Sequence, residues 1–331
     1  MKTIKYITAL CVGLLISLTS KAQDQHFSQY FNQPMYLNPA MTGMFNADMQ
    51  LSLIYRNQWN QLHRAYHNSG VSFDTKLKNG YAAGIQLLNQ SAGDAGYTRT
   101  TGLANASYDI FRKNKKNMHL VVGLQMGFIQ QAFDPAKSTF GSQYIQDIGF
   151  DPNNPSMENF MNNSQIDFDA TAGVTFFSGS SQKRINYFLG AAISHVTRPR
   201  ISFYDEDARL PLKYVVHGGF RYQASRSVIL NPVAMIYYQD ASINNQYGLN
   251  AQFLLPGTRI ALIAGASYRQ QDAVIPMMGM RYGDLTMVMS YDINASTLTT
   301  EAERRPGAFE VSLIYLFSDN KYDPEFVCPR L

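Results

Sequence analysis

From residue 49 onward the chain alternates apolar and polar side chains in runs of about ten. Between 118 and 129, Met118, Leu120, Val122, Leu124, Met126 and Phe128 fall on one face, and His119, Val121, Gly123, Gln125, Gly127 and Ile129 on the other. A period of two is the signature of a β-strand, whose successive side chains point to opposite faces of a sheet. Ile166, Phe168, Ala170, Ala172, Val174 and Phe176 repeat the pattern, as do Leu285, Met287, Met289 and Tyr291, then Phe309, Val311, Leu313, Tyr315 and Phe317. The periodicity predicts fourteen strands, near 49–56, 71–77, 81–89, 98–111, 118–132, 165–177, 185–197, 212–222, 228–238, 246–255, 260–269, 273–282, 285–293 and 307–317. After residue 22 no stretch approaches the ~18 consecutive apolar residues of a membrane helix. Any crossing of a bilayer must therefore be made by strands.

The connections sort by parity. One set is tight: 78–80, 112–117, 179–184, 223–227, 256–259 and 283–284. The interleaved set, 57–70, 90–97, 133–164, 198–211, 239–245, 270–272 and 294–306, is mostly longer. Segregation of this kind belongs to outer-membrane barrels, with short periplasmic turns and longer extracellular loops. The expected fold is all-β, a transmembrane antiparallel β-barrel of about 14 strands over 49–317, with the apolar face of each strand against lipid. Tyr81, Phe111, Phe177, Tyr187, Tyr222, Tyr237, Tyr238 and Tyr282 lie near predicted strand ends, where amphipathic rings suit the headgroup level. The opposite face carries mainly Gly, Ala, Ser, Thr, Asn and Gln, as expected for a lumen. The loop at 133–164, with Asp134-Pro135 and Asp151-Pro152, is long enough either to fold into that lumen or to stand above it.

Residues 1–22 read as a secretory signal: Lys2 and Lys5, an apolar run containing Cys11, then Ser20-Lys21-Ala22 as a small-x-small cleavage site. Residues 23–48 lack a strand pattern but hold Phe27, Tyr30, Phe31 and Tyr36 among polar residues, followed by the Asn38-Pro39 turn. They are expected to form a periplasmic N-terminal segment that packs on the barrel mouth or plugs it. Residues 318–331 are expected to be a periplasmic tail. Composition agrees: 45% of residues are hydrophobic and 16% charged, with 21 Tyr and 20 Phe, which excludes disorder. Two cysteines give no disulfide scaffold and no cysteine zinc site, and a lone Cys328 with no base beside it reads as inert. A net charge of +4 without a basic groove gives no argument for nucleic acid.

Reactive chemistry is absent from the pattern. His63 and His67 flank Arg64, Ala65 and Tyr66 in a loop, so they form no metalloprotease motif. His195 and His217 fall on neighbouring predicted strands, where a polar lumen position accounts for both. Asp205-Glu206-Asp207 reads as a solvated loop. There is no phosphate loop and no nucleophile elbow. An outer-membrane lipase would need converging Ser, His and acid that no spacing shows. No catalytic, metal or cofactor residue is therefore assigned, and the expectation is a protein that is not an enzyme.

Charge is distributed unevenly. Lys78, Arg112, Lys113, Lys115, Lys116, Lys183, Arg184, Arg226 and Arg259 all occupy the tight turns, against one acid, Asp284. Such a rim suits an acidic periplasmic partner, or simply solvated turns that stop strands.

The stretch Gln25-His26-Phe27-Ser28-Gln29-Tyr30, then Asn38-Pro39-Ala40 with Gly43, then Tyr55-Arg56-Asn57-Gln58-Trp59 and the closing Cys328-Pro329-Arg330, resembles the PorP/SprF family of type IX secretion outer-membrane proteins over essentially the whole mature chain. The resemblance implies a Bacteroidota-type outer membrane. It also implies partners in the type IX translocon of the outer membrane and periplasm, and export or anchoring of a large secreted adhesin with a C-terminal sorting domain, used in gliding motility. On this view the expected partner-contacting residues are Phe27, Tyr30, Asn38, Pro39, Gly43, Arg112, Lys113, Lys115, Lys116, Asp134 and Asp151. The alternative is a passive porin for small solutes.

Overall fold

The protein was analysed as a computed structural model that describes residues 24–58, 65–93, 96–112, 117–145, 149–151, 153–158, 160, 162–204, 207–295, 307–318 and 328–329. Outside these lie the signal segment 1–22, His63, Lys113, Lys115, Lys116, Asp205 and Glu206. The strands are β1 (Met49–Gln58), β2 (Tyr66–Lys76), β3 (Tyr81–Ala92), β4 (Tyr97–Asp109), β5 (Met118–Ala132), β6 (Tyr144–Ile145), β7 (Gly149–Phe150) and β8 (Ser164–Ser178). They continue as β9 (Ile185–Ser194), β10 (Lys213–Gln223), β11 (Val228–Gln239), β12 (Ser242–Leu254), β13 (Ile260–Arg269), β14 (Ala273–Tyr282), β15 (Leu285–Asn294) and β16 (Ala308–Phe317). All but β6 and β7 join one closed barrel of fourteen antiparallel strands, sealed where β1 pairs with β16 from Met49↔Phe317 to Gln58↔Ala308. Closure satisfies every ladder edge, which a sheet in hydrocarbon requires. No helix among the described residues is long and apolar enough to cross a membrane.

The barrel is turned out as the alternation predicts. Val122, Leu124, Met126 and Phe128 are exposed on the outer face of β5, as are Ile166, Phe168 and Val174 on β8. Tyr81, Phe111, Tyr187 and Tyr282 ring the outside at the short-turn end, and Tyr55, Tyr214, Tyr238, Tyr268 and Tyr291 ring it at the other. Two residues expected in these rings instead face inward. Phe177 is buried in the lumen and stacks on His119 at 4.6 Å, and Tyr237 is buried beneath Lys213.

Several strands run longer than their apolar bands. β2 begins at Tyr66 and β12 at Ser242, so the connection expected at 239–245 contracts to Asp240-Ala241, both with positive φ. The added residues are mostly polar, His67, Asn68 and Ser69 in β2 and Ser242, Asn244 and Asn245 in β12, and carry no sustained apolar alternation. The three longest connections, 133–163, 195–212 and 295–307, still share one end, which is the extracellular one for this architecture. In the first, β6 and β7 form a small hairpin, and Phe133, Phe140, Phe160, Phe203 and Tyr204 pack across to the second with ring centroids 4.6–5.7 Å apart.

Because the oily faces point out, the protein's core lies in its lumen. There the inward residues Val121, Phe177, Phe188, Val215, Val233 and Met235 pack against Tyr30, Phe31, Leu37, Ala40, Met41 and Met44 of the N-terminal segment. Leu124 sits at mid-height on the lipid side, so Leu124→Arg is expected to cost about 2–4 kcal/mol in urea titrations of folding into vesicles. Gln125→Arg, on the lumen side, would not show the same dependence on bilayer depth.

Candidate functional site

Residues 24–48 thread the barrel from end to end. Three short turns, Tyr30–Asn32, Pro34–Leu37 and Pro39–Met41, are strung between extended links, with prolines opening the second and third. Proline suits the first position of a helical turn because its missing N–H would have no partner there. The segment starts near the extracellular strand ends and reaches the short-turn end at Asp48, whose N–H donates to the Phe317 carbonyl just before β1 begins.

The upper anchor is ionic. Asp24 accepts from Arg99 at 3.0 Å and from His195 Nε2 at 2.7 Å, with Lys213 Nζ at 3.5 Å, and its N–H donates to Gln239 at 3.2 Å. His195 Nδ1 meets Asp169 at 2.9 Å, so the ring bridges two carboxylates and requires both of its protons. Lys213 also lies over the rings of Tyr36 and Tyr237. Burial alone would raise the Asp24 carboxyl, yet the charges of His195, Lys213 and Arg99 hold it well below its ordinary 3.8. Burial pushes His195 down, and Asp24 and Asp169 more than reverse this, lifting it from 6.5 to about 9.

The second anchor is at the seam. Arg56 of β1 and Glu310 of β16 are register partners, 3.2 Å apart, and Arg56 also pairs with Asp292 of β15 at 2.9 Å. Arg269 of β13 completes the cluster against Asp292. All four are buried, and the N-terminal segment closes the set. Backbone N–H groups of Ser28 and Gln29 donate to the two oxygens of Glu310 at 2.8 and 2.6 Å, and the Ser28 hydroxyl donates to Asp292 at 2.7 Å. Below it, Asn32 donates to Ser312 at 2.8 Å, and Gln246 donates to the Ser28 carbonyl at 2.7 Å.

The Asn38-Pro39-Ala40-x-x-Gly43 stretch makes the third anchor. The Asn38 side chain caps its own turn through Ala40 N–H at 2.9 Å. Its amide donates to Val174 O and Thr175 Oγ1 of β8, both at 3.0 Å, and to Ala191 O of β9 at 3.2 Å, and lies 3.0 Å from His217 Nε2 of β10, binding three strands at once. Ala40 presses on Gly123, where an added Cβ would lie 2.3 Å from the Ala40 nitrogen. Gly43 has φ +78°, donates its N–H to Asp74 at 2.8 Å, and has no room for a side chain beside Ala82. Phe27 and Tyr30 are buried too, Phe27 against Ile54, Leu88 and Tyr36. At the lower end Cys328, fully buried, returns to the segment: its N–H donates to Asn46 at 2.7 Å and its thiol to the Met44 carbonyl at 3.2 Å.

The remaining sequence candidates lie elsewhere. Asp134 and Asp151 each cap a loop turn, accepting from Ala136 and Asn153 N–H at 3.1 and 2.9 Å. Arg112 is exposed at the short-turn end and donates to Asn79; Lys78, Lys183, Arg184, Arg226 and Arg259 are exposed there as well. His67 rests on Tyr55, and Asp207 pairs with Arg200 and Arg209. His195 and His217 do not meet; each serves a different anchor. Two vestibules, of about 340 and 400 Å³, open between the segment and the wall at the short-turn end.

A lipid-facing apolar band between two aromatic rings, closed on an internally plugged lumen, defines an integral outer-membrane β-barrel protein. The chain belongs to the family described as Type IX secretion system membrane protein PorP/SprF, whose sequence profile matches residues 19–315. It is accordingly an outer-membrane protein of the type IX secretion system. No curated protein matches it by sequence. Solved structures similar to it include the toluene transporter TbuX of Ralstonia pickettii, 9% identical with a TM-score of 0.48 over 85% of this chain and 91% of that one. The toluene transporter TodX of P. putida is 9% identical, with a TM-score of 0.45 over 86% and 93%. The KdgM porin is 8% identical, with a TM-score of 0.39 over 80% and 99%.

Glu310→Leu would take away one of Arg56's two buried carboxylates and leave Arg56 and Arg269 sharing Asp292, a loss of about 3–5 kcal/mol, read as a lower urea midpoint. Adding Arg56→Met should cost much less than a second independent loss, because the two share one interaction. The upper anchor is complete only with Asp24 ionised and His195 protonated. Asp24 contributes above pH 3.8 and ceases to as pH falls through its depressed folded value. His195 contributes below pH 6.5 and is lost as pH rises through about 9. Protection of the N-terminal segment from added protease is therefore expected to be greatest between about pH 4 and 6.5 and to decline toward pH 9. His195→Gln should flatten the alkaline limb.

Proposed function

We propose that this type IX secretion protein is a plugged, non-enzymatic barrel that binds a large surface adhesin carrying a C-terminal sorting domain and helps to export or anchor it. The observation that carries this reading is the filled lumen: residues 24–48 occupy it and are fixed to the wall by charged and amide groups at three levels. A diffusion channel needs a continuous aqueous path, whereas a barrel whose interior is spent on its own packing offers rigidity to a partner. The aromatic cluster joining the 133–163 and 195–212 loops supports an external contact surface that includes the turns capped by Asp134 and Asp151. The basic turns, Arg112 among them, suit an acidic translocon component on the periplasmic side.

Two measurements test this together. Deleting the gene should remove one very large adhesin from the cell surface while other type IX cargo remains, as read by surface proteomics. In planar bilayers the pure protein should carry no steady current, and Gly123→Val, which forces Ala40 off the wall, should open one. Steady large unitary currents from the intact protein, with unchanged surface proteins in the deletion strain, would make it a porin.

A further inference from the structure

The larger vestibule, about 400 Å³, lies between the N-terminal segment and the inner wall of β11–β16 and is rimmed by the turns at Thr258 and Asp284. Its wall carries Asn231, Asn250 and Gln252, which are 3%, 7% and 7% exposed. Asn231 and Asn250 are register partners on β11 and β12, so their amides stand side by side, and Asn250 and Gln252 project from the same face of β12. Among the described residues the side-chain carbonyl oxygens of Asn231 and Asn250 have no hydrogen-bond partner. Leaving such groups unmade costs about 1–3 kcal/mol each.

The geometry points to a peptide-binding site here, taking a neutral, extended segment with a small apolar side chain offered from the periplasm. A primary amide presents one acceptor and two donors, the complement of a main-chain peptide group. Amides at i and i+2 of a strand recur every ~6.7 Å, the repeat at which an extended peptide presents equivalent groups to one side. The cavity is also lined by other polar groups, Asn32, Arg281 and Thr286 included, and among them Ile263, Met277 and Val288 form an apolar patch that suits an aliphatic side chain. Its volume falls within the range of small-ligand sites. Charge does not select the ligand, since Asp284 at the rim faces Arg259 at 3.4 Å and Arg281, which also lines the cavity, is engaged within the protein. A sugar would be expected to find several aromatic faces to stack on, and among the described residues Phe31 is the single aromatic lining this space. The site is distinct from the outer loops, and it stands whether or not the protein holds an adhesin.

The test uses the full mature protein in detergent with methyl-labelled methionine, titrated with the capped tripeptide acetyl-Ala-Val-Ala-amide. Met277 lines the vestibule, and Met280, 48% exposed on the lipid face, controls for peptide entering the micelle. The expected result is a saturable shift of the Met277 methyl with Met280 unmoved. Affinity should weaken roughly tenfold in Asn250→Leu. Asn250→Ser and Asn231→Leu serve as second variants, with the heat-dependent gel shift verifying that each barrel is folded. Absence of a saturable shift, a shift that survives the substitutions in folded protein, or a response to N-acetylglucosamine in place of the tripeptide would each overturn the assignment.

Discussion

The structure depends on a charge balance struck at the seam of the barrel. Arg56 and Arg269 face Asp292 and Glu310 out of reach of solvent, and each ion taken from water carries a penalty of several kcal/mol. Two cations against two anions remove the net charge. That is insufficient while lone pairs remain unmatched, and it is Ser28 and Gln29 that occupy both oxygens of Glu310. The strands that close the cylinder and the segment inside it therefore hold each other. Without the segment the seam contains an under-solvated carboxylate; without the seam the segment loses its firmest hold.

The lower half of the lumen reaches the same end by shape. Small residues on the inner wall allow the N-terminal backbone to approach closely, as Gly123 does beneath Ala40 and Gly173 does beneath the Asn38 side chain. In return the Asn-Pro-Ala-x-x-Gly stretch supplies a side-chain amide that reaches three strands, a preformed turn, a methyl-sized contact and a left-handed glycine. Each position of the stretch therefore has a separate physical reason in this structure.

That alternation made the barrel legible because lipid imposes it: Leu124 and Phe168 must be apolar wherever the strand crosses hydrocarbon. Its reach ends with the hydrocarbon, so the polar starts of β2 and β12 were indistinguishable from loop. Aromatic side chains at strand ends were ambiguous for a related reason. Tyr282 faces the headgroups and Tyr237 faces a buried lysine, and a one-residue difference in phase decides between them. The site was less legible than the fold. Arg56, Arg269, Asp292 and Glu310 are separated by up to 254 residues and meet only when the sheet is rolled up. Their visible mark was a charge at an inward strand position, one that Asp74, Arg99, Asp169 and Lys213 share. The aromatic content of 23–48 pointed to order, but the ionic socket around Asp24 required four separate strand ends to be brought together.

Because the N-terminal segment fills the bore and is gripped at its far end by Asp24, it has no free passage through which to be drawn in later. The first and last strands meet around a peg that shares their charges, so the two succeed or fail together: an edit to the peg is felt as a failure to shut the cylinder, and a weakened join is felt as a loose peg.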